Sequence, residues 1–463
     1  MQEAMDTTTG NKPLPSFTSI SSLAVVVGIV VGIGIFRLPP IVAGHSANEA
    51  QFVSFWVAGG LISLLGALCY AELASSKPDA GGEYYFLSQA YGPPLGFLLS
   101  WGRMTVIQTG SIALIAFVLG DYASLIVDLG EYSSSIYAAF IVILLTGLNL
   151  SGTKHSGKSQ MGFTSAIVVV LVFIAVAGLV NGSPAEMLEV SSGGGGISLF
   201  TKGAAGSAMI FVLLTYGGWN EAAYLSGELI NVKRNIIKIL VVGITLITGL
   251  YVLVNLAYLQ VLGLEKLQNT EAVGAAITGE IFGSAGSLVV SLIVILAALS
   301  TANATIITGA RTNYALGRDF RLFGFMGRWD TRRNTPANAL IIQGIIALLL
   351  VGLGAWSKES VSTMVDYTAP IFWFFLLLTT FTLFVFRRRH NFGHIPYKVP
   401  LYPVTPILFL VVCLYMFYSS LAFTGIGALV GSSFMIAGIP VYFWARRRNM
   451  VVKTGLYQEV GRD

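Results

Sequence analysis

The segment AVVVGIVVGIGIFRLPP, residues 24–40, begins as an apolar membrane helix and then carries residues that interrupt helices. Three glycines follow one another at Gly28, Gly32 and Gly34, and Pro39 and Pro40 end the segment. In lipid, unwound backbone is tolerated only where it is buried in protein or lines a cavity. Helix–helix packing through Gly28 and Gly32 is the alternative, but it leaves Gly34 and the two prolines unexplained. The segment therefore predicts a discontinuous membrane helix.

The composition around this segment is that of a membrane protein. The chain has 463 residues, of which 55% are hydrophobic and 11% are charged, and its mean hydropathy is +0.76. Continuous apolar runs of about 20 residues recur along the chain, which is the length that crosses a bilayer as a helix. A transmembrane barrel needs short alternating segments instead. The predicted fold class is therefore an all-α polytopic membrane protein in a lipid bilayer.

The apolar runs predict twelve transmembrane helices. They lie at residues 20–44, 50–74, 85–124, 134–150, 160–182, 204–230, 236–261, 284–311, 337–356, 361–387, 402–423 and 427–446. The third helix is expected to bend near Gly92. Residues 1–19 and 447–463 are predicted to be polar tails, residues 20–387 a transport core of ten helices, and residues 402–446 a final helix pair.

Lysine and arginine are distributed unevenly between the two sides of these spans. Only Lys202, Lys266 and Lys358 fall in the outer segments, and Arg37 and Arg103 lie within spans. The other 22 of the 27 lysines and arginines fall in the inner segments. An excess of these residues marks the cytoplasmic side, so both tails are predicted to be cytoplasmic and the membrane to be the plasma membrane.

A second interrupted helix lies five spans after the first. In FVLLTYGGWNEAAYLSGEL, residues 211–229, Gly217 and Gly218 break an apolar run between two aromatic residues. Glycine-broken segments at matching positions in two halves of a chain are the best sequence pointer to a transporter binding site. Freed N–H groups suit a carboxylate and freed carbonyls suit an ammonium group, so the pair predicts a site for an amino acid.

Four motifs, in this order, resemble the amino acid–polyamine–organocation superfamily. GIVVGIGIF (28–36) is similar to its helix 1, and CYAELASSKPDAGGEYYFL (69–87) is similar to the end of helix 2 and the loop after it. YGGWN (216–220), followed by GELINVKRNI, resembles helix 6 of the L-type amino acid transporter branch, and residues 298–319 resemble helix 8. The resemblance implies a five-plus-five inverted repeat, residues 20–182 and 204–387, with helices 1 and 6 broken as in LeuT.

The resemblance also implies a set of substrate-binding residues on both broken helices. These are Ile29, Val30, Gly32, Ile33, Gly34, Leu213, Tyr216, Gly217, Gly218, Trp219 and Ala304. The glycine-rich N–H groups would bind the carboxylate, and carbonyls on both helices would bind the ammonium. For Tyr216 and Trp219, ordinary aromatic packing is an equal alternative.

A candidate sodium site follows from the same resemblance. Sodium-coupled relatives use helix 1 carbonyls and helix 8 hydroxyls, and the matching residues here are Gly28, Val31, Ala297, Ser300 and Thr301. The alternative is that the two hydroxyls bond their own helix. Ile167 stands where some members carry a helix 5 lysine, which argues against a lysine-based proton mechanism. No other metal and no cofactor is expected.

Several charged residues are candidates for gates. Arg37 is expected on the outer half of helix 1 as an outer gate, with Trp219 beside the pocket, although Arg37 could instead extend to the outer headgroups. Arg103 is expected to face protein or water. Glu72, Glu228, Arg311 and Asp319 could form an inner network, but solvated interfacial charges are the favoured interpretation because exposed pairs contribute little.

These features predict a secondary active transporter of neutral L-amino acids that works by alternating access and is coupled to a cation gradient. A sodium-independent exchanger is the alternative, and an intramembrane enzyme is a remote one. All four histidines, His390 and His394 among them, fall in loops, and the spans hold no pair of aspartates. Nothing in the sequence predicts a nucleotide or nucleic acid partner. An accessory subunit remains undetermined.

Overall fold

The computed structural model describes residues 14–181, 204–270, 273–357, 362–389, 395–424, 432–433 and 435–447. Within these ranges the secondary structure is helical, apart from isolated bridges that pair Phe17 with Leu229 and Asp330 with Thr335. Among the residues that the structure describes, ten helices are long and apolar enough to cross a membrane. The prediction of an all-α, multi-pass membrane protein is therefore confirmed.

The α-helices are numbered in chain order. They are α1 Ser19–Val30, α2 Gly34–Arg37, α3 Pro39–Gly44, α4 Glu49–Ser76, α5 Glu83–Tyr91, α6 Pro93–Gly102, α7 Gln108–Ser124, α8 Ser133–Leu150, α9 Thr153–Asn181, α10 Ala204–Thr215, α11 Ala222–Leu225, α12 Val232–Gln268, α13 Val273–Phe282, α14 Gly286–Asp319, α15 Ala337–Ser357, α16 Ser362–Arg388 and α17 Val404–Thr424. Residues 435–447 are also helical.

Glycine and proline decide where the long helical segments change direction. The third predicted span is divided at Gly92, whose φ of 94° ends α5 before Pro93 begins α6. A π-helical turn, Arg103–Ile107, then joins α6 to α7. Such turns widen a helix locally and often occur at functional sites. This one places Arg103 inside the protein, where it is buried.

The core is formed by α1, α4, α9, α12 and α14. Helix α12 packs along α4 and α9, and α14 packs against α1, α7 and α9. By contrast, Ile136, Phe140 and Ile143 of α8 are exposed, as is expected for a surface that faces lipid tails. The broken helix α1–α3 is thus held by helices on several sides.

Some predicted boundaries need correction. The N-terminal tail was assigned to residues 1–19, but Phe17 is 1% exposed, and its carbonyl accepts a hydrogen bond from the N–H of Ile230. A short strand-like contact therefore fixes residues 16–17 against the end of the sixth span. His390 and His394 lie outside the described residues, as do residues 1–13 and 448–463 of the tails.

Candidate functional site

The two predicted helix breaks are present and lie side by side. Helix α1 ends at Val30 and the chain resumes as α2 at Gly34, while α10 ends at Thr215 before a 3₁₀ turn that begins at Trp219. A Cβ atom added to Gly34 would lie 3.2 Å from the Cγ2 of Thr215. One added to Gly218 would overlap the Cγ2 of Ile29. Each break therefore touches the other helix through a glycine that has no side chain to separate them.

Peptide groups are left unpaired at these breaks. Among the described residues, the N–H of Ile33 donates no hydrogen bond, and the carbonyls of Ile29 and Leu213 accept none. Other groups are used by the protein itself. The N–H of Gly32 donates to the carbonyl of Val30, which also accepts from the hydroxyl of Tyr251 at 2.7 Å. The site thus retains both a donor and acceptors for a zwitterion.

A cavity of about 280 Å³ opens beside the two breaks. Its wall is mostly apolar and is completed by α16 through Phe372 and Trp373, while Gln108 and Ser111 of α7 add polar groups. Small-molecule sites have this character, with a few polar groups that fix orientation among apolar ones. Of the eleven predicted substrate residues, those that line it are Ile29, Leu213, Gly217 and Gly218.

Two oppositely charged side chains also line the cavity, Arg103 and Glu221. The Nη2 of Arg103 donates to both carboxylate oxygens of Glu221, at 2.8 and 2.7 Å. Arg103 is 3% exposed and Glu221 is 7% exposed. The sequence analysis missed Glu221 as a wall residue, because the 3₁₀ turn after Gly218 rotates it toward α7. The available signal was that Arg103 and Glu221 both fall within predicted spans, where a charged side chain needs a partner.

Comparison with known proteins assigns the family. The sequence profile of the amino acid permease family matches residues 17–445. The chain belongs to the amino acid permease family. This family is part of the amino acid–polyamine–organocation superfamily, so the resemblance inferred from the motifs is confirmed. The protein is a transporter and not an enzyme.

Three curated relatives illustrate the range of similar permeases. The chain is 30% identical over 401 residues to the mouse (Mus musculus) b(0,+)-type amino acid transporter 1, an alignment that covers 86% of this chain and 80% of that one. It is 26% identical over 437 residues to the serine/threonine exchanger SteT of Bacillus subtilis (strain 168), with coverages of 92% and 96%. It is 27% identical over 432 residues to the mouse large neutral amino acids transporter small subunit 2, with coverages of 92% and 80%.

Tyr216 and Trp219, the aromatic residues on either side of Gly217 and Gly218, pack against other helices and are not part of the cavity wall. The hydroxyl of Tyr216 donates to the carbonyl of Trp56 at 2.9 Å. Trp219 packs edge-on against Tyr70, with ring centroids 5.2 Å apart, and against Phe409. In this conformation the packing alternative describes both residues. Ala304 is fully buried, and the cavity wall likewise does not include Val30, Gly32, Ile33 or Gly34.

The candidate sodium residues meet at a junction of α1, α9 and α14. The hydroxyl of Thr301 donates to the carbonyl of Gly28 at 3.1 Å, and Ser300 lies 3.5 Å from the same oxygen. Val31 and Ala297 are fully buried in the apolar core around this junction. Gly28 and the two hydroxyl residues are therefore brought together as predicted, with Val31 and Ala297 packed behind them.

An amide from α9 also enters this junction. Gln160 Nε2 donates to the hydroxyls of Ser300 and Thr164, at 3.1 and 3.0 Å. Its Oε1 accepts from Asn303. A hard cation needs oxygen lone pairs that point toward it, whereas here N–H and O–H donors already engage Ser300 and the Gly28 carbonyl. The residues present do not fit a preformed sodium site. Ile167 lies farther along α9, fully buried in the apolar core.

The charged residues that were predicted to lie at the inner ends of the helices are buried and paired. Arg311 Nε donates to Glu228 at 2.5 Å, and the two side chains are 3% and 0% exposed. Glu72 accepts from Arg387 at 2.5 Å and is 0% exposed. The favoured interpretation of solvated charges is therefore wrong for Glu72, Glu228 and Arg311. Sequence position alone did not reveal the helices that cover them.

Asp319 and Arg37, the other two charged residues predicted to belong to gates, are more exposed. The side chain of Asp319 is 38% exposed and bonds Arg318, while its other oxygen accepts from Tyr84 at 2.7 Å. Arg37, at the end of α2, is exposed, and it forms no ion pair with any residue of the described ranges. The predicted inner charges thus form separate pairs and not one network.

Proposed function

We propose that this permease is a secondary active transporter that moves neutral L-amino acids across the plasma membrane by alternating access. The observation that carries the proposal is the direct contact of the two breaks, where Gly34 lies against Thr215 and Gly218 lies against Ile29. Interrupted helices with unpaired peptide groups at one cavity are the arrangement that transporters use for small polar substrates. The acceptors at Ile29 and Leu213 line the cavity and suit the ammonium end of a zwitterion, whereas the donor at Ile33 lies at the same break but outside the cavity wall in this conformation.

The proposal includes twelve spans with a five-plus-five inverted repeat and both termini in the cytoplasm. Ten helices have the required length and hydropathy. We count the broken segment that contains α10 and α11 as the eleventh span, and the described helix at residues 435–447 supports the predicted twelfth. Breaks in the first and sixth of these segments support two repeats of five. The lysine- and arginine-rich loops support the orientation.

A neutral side chain is the best fit to the cavity. Arg103 and Glu221 pair with each other in its wall, so neither is free to pair with a charged substrate side chain. Most of the remaining wall is apolar, with hydroxyl and amide groups from Ser111, Gln108 and Thr305. The relatives named as a serine/threonine exchanger and as a large neutral amino acid transporter agree with a neutral substrate.

We propose coupling to a cation gradient, with a sodium-independent exchanger as the second candidate. The Gln160 amide at the junction of α1, α9 and α14 favours sodium independence because it donates to the hydroxyl that a sodium ion would need. The relative named as an exchanger points in the same direction. Arg37 and Trp219 are proposed as gate residues whose contacts change between the outward- and inward-open states.

Counterflow in proteoliposomes tests the function. Vesicles that contain the purified protein are loaded with one unlabelled L-amino acid and diluted into the same labelled amino acid, for a panel of serine, threonine, alanine, leucine, lysine and glutamate. We expect labelled neutral amino acids to enter faster than in protein-free vesicles, with no change when choline replaces sodium. Folded protein that gives no counterflow with any neutral amino acid would refute the proposal, and a requirement for sodium would refute the proposed sodium independence.

A further inference from the structure

Three buried charged groups form a cluster beside the cavity, and their charges do not balance. Arg103 is paired with Glu221, and its Nη1 lies 3.9 Å from Glu83 Oε2. All three residues are at most 7% exposed. Two carboxylates therefore share one buried guanidinium. Arg103 and Glu221 lie within predicted spans, where an uncompensated charge is costly and ionisable groups mark ion or proton pathways. The cluster is one positive charge short of neutrality.

Glu83 is enclosed by hydrogen-bond donors from the protein itself. Its Oε1 accepts from the hydroxyl of Tyr70 at 2.5 Å and from Asn220 Nδ2 at 3.0 Å. Its Oε2 accepts from the hydroxyl of Tyr224 at 2.8 Å. Glu83 is not part of the cavity wall, so a proton that enters through the cavity does not meet it first.

Glu221 has a different environment. Both of its oxygens share a single nitrogen, the Nη2 of Arg103, and its side chain lines the cavity. Around it, α5 contributes Glu83, α11 contributes Tyr224, and α14 contributes Thr308, whose hydroxyl is a hydrogen-bond partner of the Glu221 carboxylate. A proton can thus reach Glu221 from the cavity, whereas Glu83 is enclosed by Tyr70, Tyr224 and Asn220.

We propose that Glu221 carries the proton that couples this permease to a proton gradient. This inference rests on the proposed transport of amino acids and names the cation. A proton from the outer solution binds the Glu221 carboxylate when the cavity is open to that side, and it leaves to water on the inner side after the substrate is released. The proton is the only species gained or lost by the group, so the step balances.

Arg103 is the positioning residue in this scheme. Its guanidinium lies between the two carboxylates, with Nη2 on Glu221 and Nη1 near Glu83, while its Nε has no hydrogen-bond partner in the described part of the chain. Protonation of Glu221 weakens the charge-assisted bond to Nη2. The guanidinium then shifts toward Glu83 on α5, away from the wall of the broken sixth span. Protonation of the cavity wall is in this way linked to a contact between two helical segments.

Gradient-driven uptake in proteoliposomes tests the proposal. The protein is reconstituted with pyranine trapped inside, equal potassium and valinomycin hold the membrane potential at zero, and the outside is made one pH unit more acidic. The labelled substrate is the amino acid that gives the largest counterflow. With one proton per amino acid, the wild type is expected to accumulate it up to about tenfold above the outside concentration, and pyranine is expected to report proton entry that depends on the amino acid.

Three variants distinguish a proton carrier from a structural pair. Glu221→Gln keeps the shape of the side chain, and its accumulation is expected to reach only the outside concentration, so that an acid outside solution no longer raises the inside level above that at equal pH. Glu221→Asp retains an acid and is expected to retain accumulation. Glu280→Gln is the matched control, because it removes the carboxylate of an exposed pair with Lys266 that is not part of the cavity wall, and it is expected to keep the response to the pH gradient.

The outcomes separate this inference from the proposed function. Wild-type protein that shows counterflow but neither accumulation nor proton entry would overturn the proton coupling alone. So would a Glu221→Gln protein that accumulates substrate as the wild type does. A wild type without counterflow would overturn the proposed function itself. If Glu221→Gln does not fold, the wild-type proton flux and the Glu221→Asp variant still decide the question.

Discussion

Replacing Gly218 with alanine tests the contact between the two breaks directly. Gly218 has a φ of 108°, a region where an L-residue costs about 1–2 kcal/mol more than glycine. The added methyl group would also overlap the Cγ2 of Ile29 and lie 3.4 Å from its Cβ. Overpacking of this kind costs about 1–3 kcal/mol. The two effects together predict a loss of about 2–5 kcal/mol of stability, unless the breaks move apart.

Transport is impaired whether the two breaks stay in contact or move apart. If they stay in contact, the strain lowers the midpoint of thermal unfolding in detergent. If they move apart, the carbonyl of Ile29 moves relative to its substrate, and a displacement of about 1 Å is enough to reduce rates by about 100-fold. We therefore expect Gly218→Ala to lower counterflow by about 10- to 100-fold, measured at equal amounts of folded protein.

Gly249 of α12 provides a matched control, because the same substitution there is expected to hold or raise the stability. It lies within a helix and an added Cβ there meets nothing within 4 Å. Alanine is better than glycine inside a helix by about 0.5–1 kcal/mol, so Gly249→Ala is expected to hold or raise the thermal midpoint with normal counterflow. If the two alanine variants behave alike, or if Gly218→Ala transports as the wild type does, the contact between the breaks does not have the proposed role.

Three further substitutions test other parts of the structure. Arg311→Met leaves Glu228 buried without its partner and is expected to cost about 3–5 kcal/mol of stability, whereas adding Glu228→Met should restore most of the thermal midpoint; no restoration would show that the pair is not the cause. Gln160→Leu removes the donor to Ser300 and orphans a buried Asn303 amide, so the midpoint should fall by the equivalent of about 1–3 kcal/mol, and an unchanged midpoint would contradict the hydrogen-bond junction. Arg37→Ala should leave stability within about 0.5 kcal/mol because the side chain is exposed, and unchanged uptake would remove it as a gate.

The helix breaks could be predicted because their causes are local. Glycine and proline act on their own turn of the chain, so the interruption near Gly32 and Gly34 and the one at Gly217 and Gly218 are visible in short segments. The bend at Gly92 has the same origin. Because the breaks lie at matching positions in the two halves of the chain, they were predicted to meet. That prediction requires no knowledge of individual side-chain directions.

The direction of side chains after a break could not be predicted. Trp219 was assigned to the pocket, yet it packs against Tyr70, while Glu221, two residues later, lines the cavity. The phase of a helix is lost across an interruption, because the left-handed Gly218 and the short 3₁₀ turn set a new rotation. A period of 3.6 residues carries information about facing only within one continuous helix.

Contacts between residues that are far apart in the chain also could not be predicted. Arg103 and Glu221 are 118 residues apart, and Gln160 and Ser300 are 140 apart. The sequence showed that Arg103 needs a partner but gave no means to choose among the acidic residues. Gln160 carried no signal at all, since an amide near the end of a helix is usually solvated. Only the packing of the helices makes it part of the junction.

The ion pairs at the inner ends of the helices are better explained by reversibility than by stability. Glu72–Arg387 joins α4 to α16, and Glu228–Arg311 joins the segment after α11 to α14. Apolar residues of similar volume would stabilise such a contact as well or better, because burying charges costs solvation. When an apolar contact opens, however, the exposed surface costs about 25 cal/mol per Å², whereas charges that separate into water regain their hydration. Under the proposed alternating access, such pairs would keep the open state of a surface that must part close in free energy to its closed state.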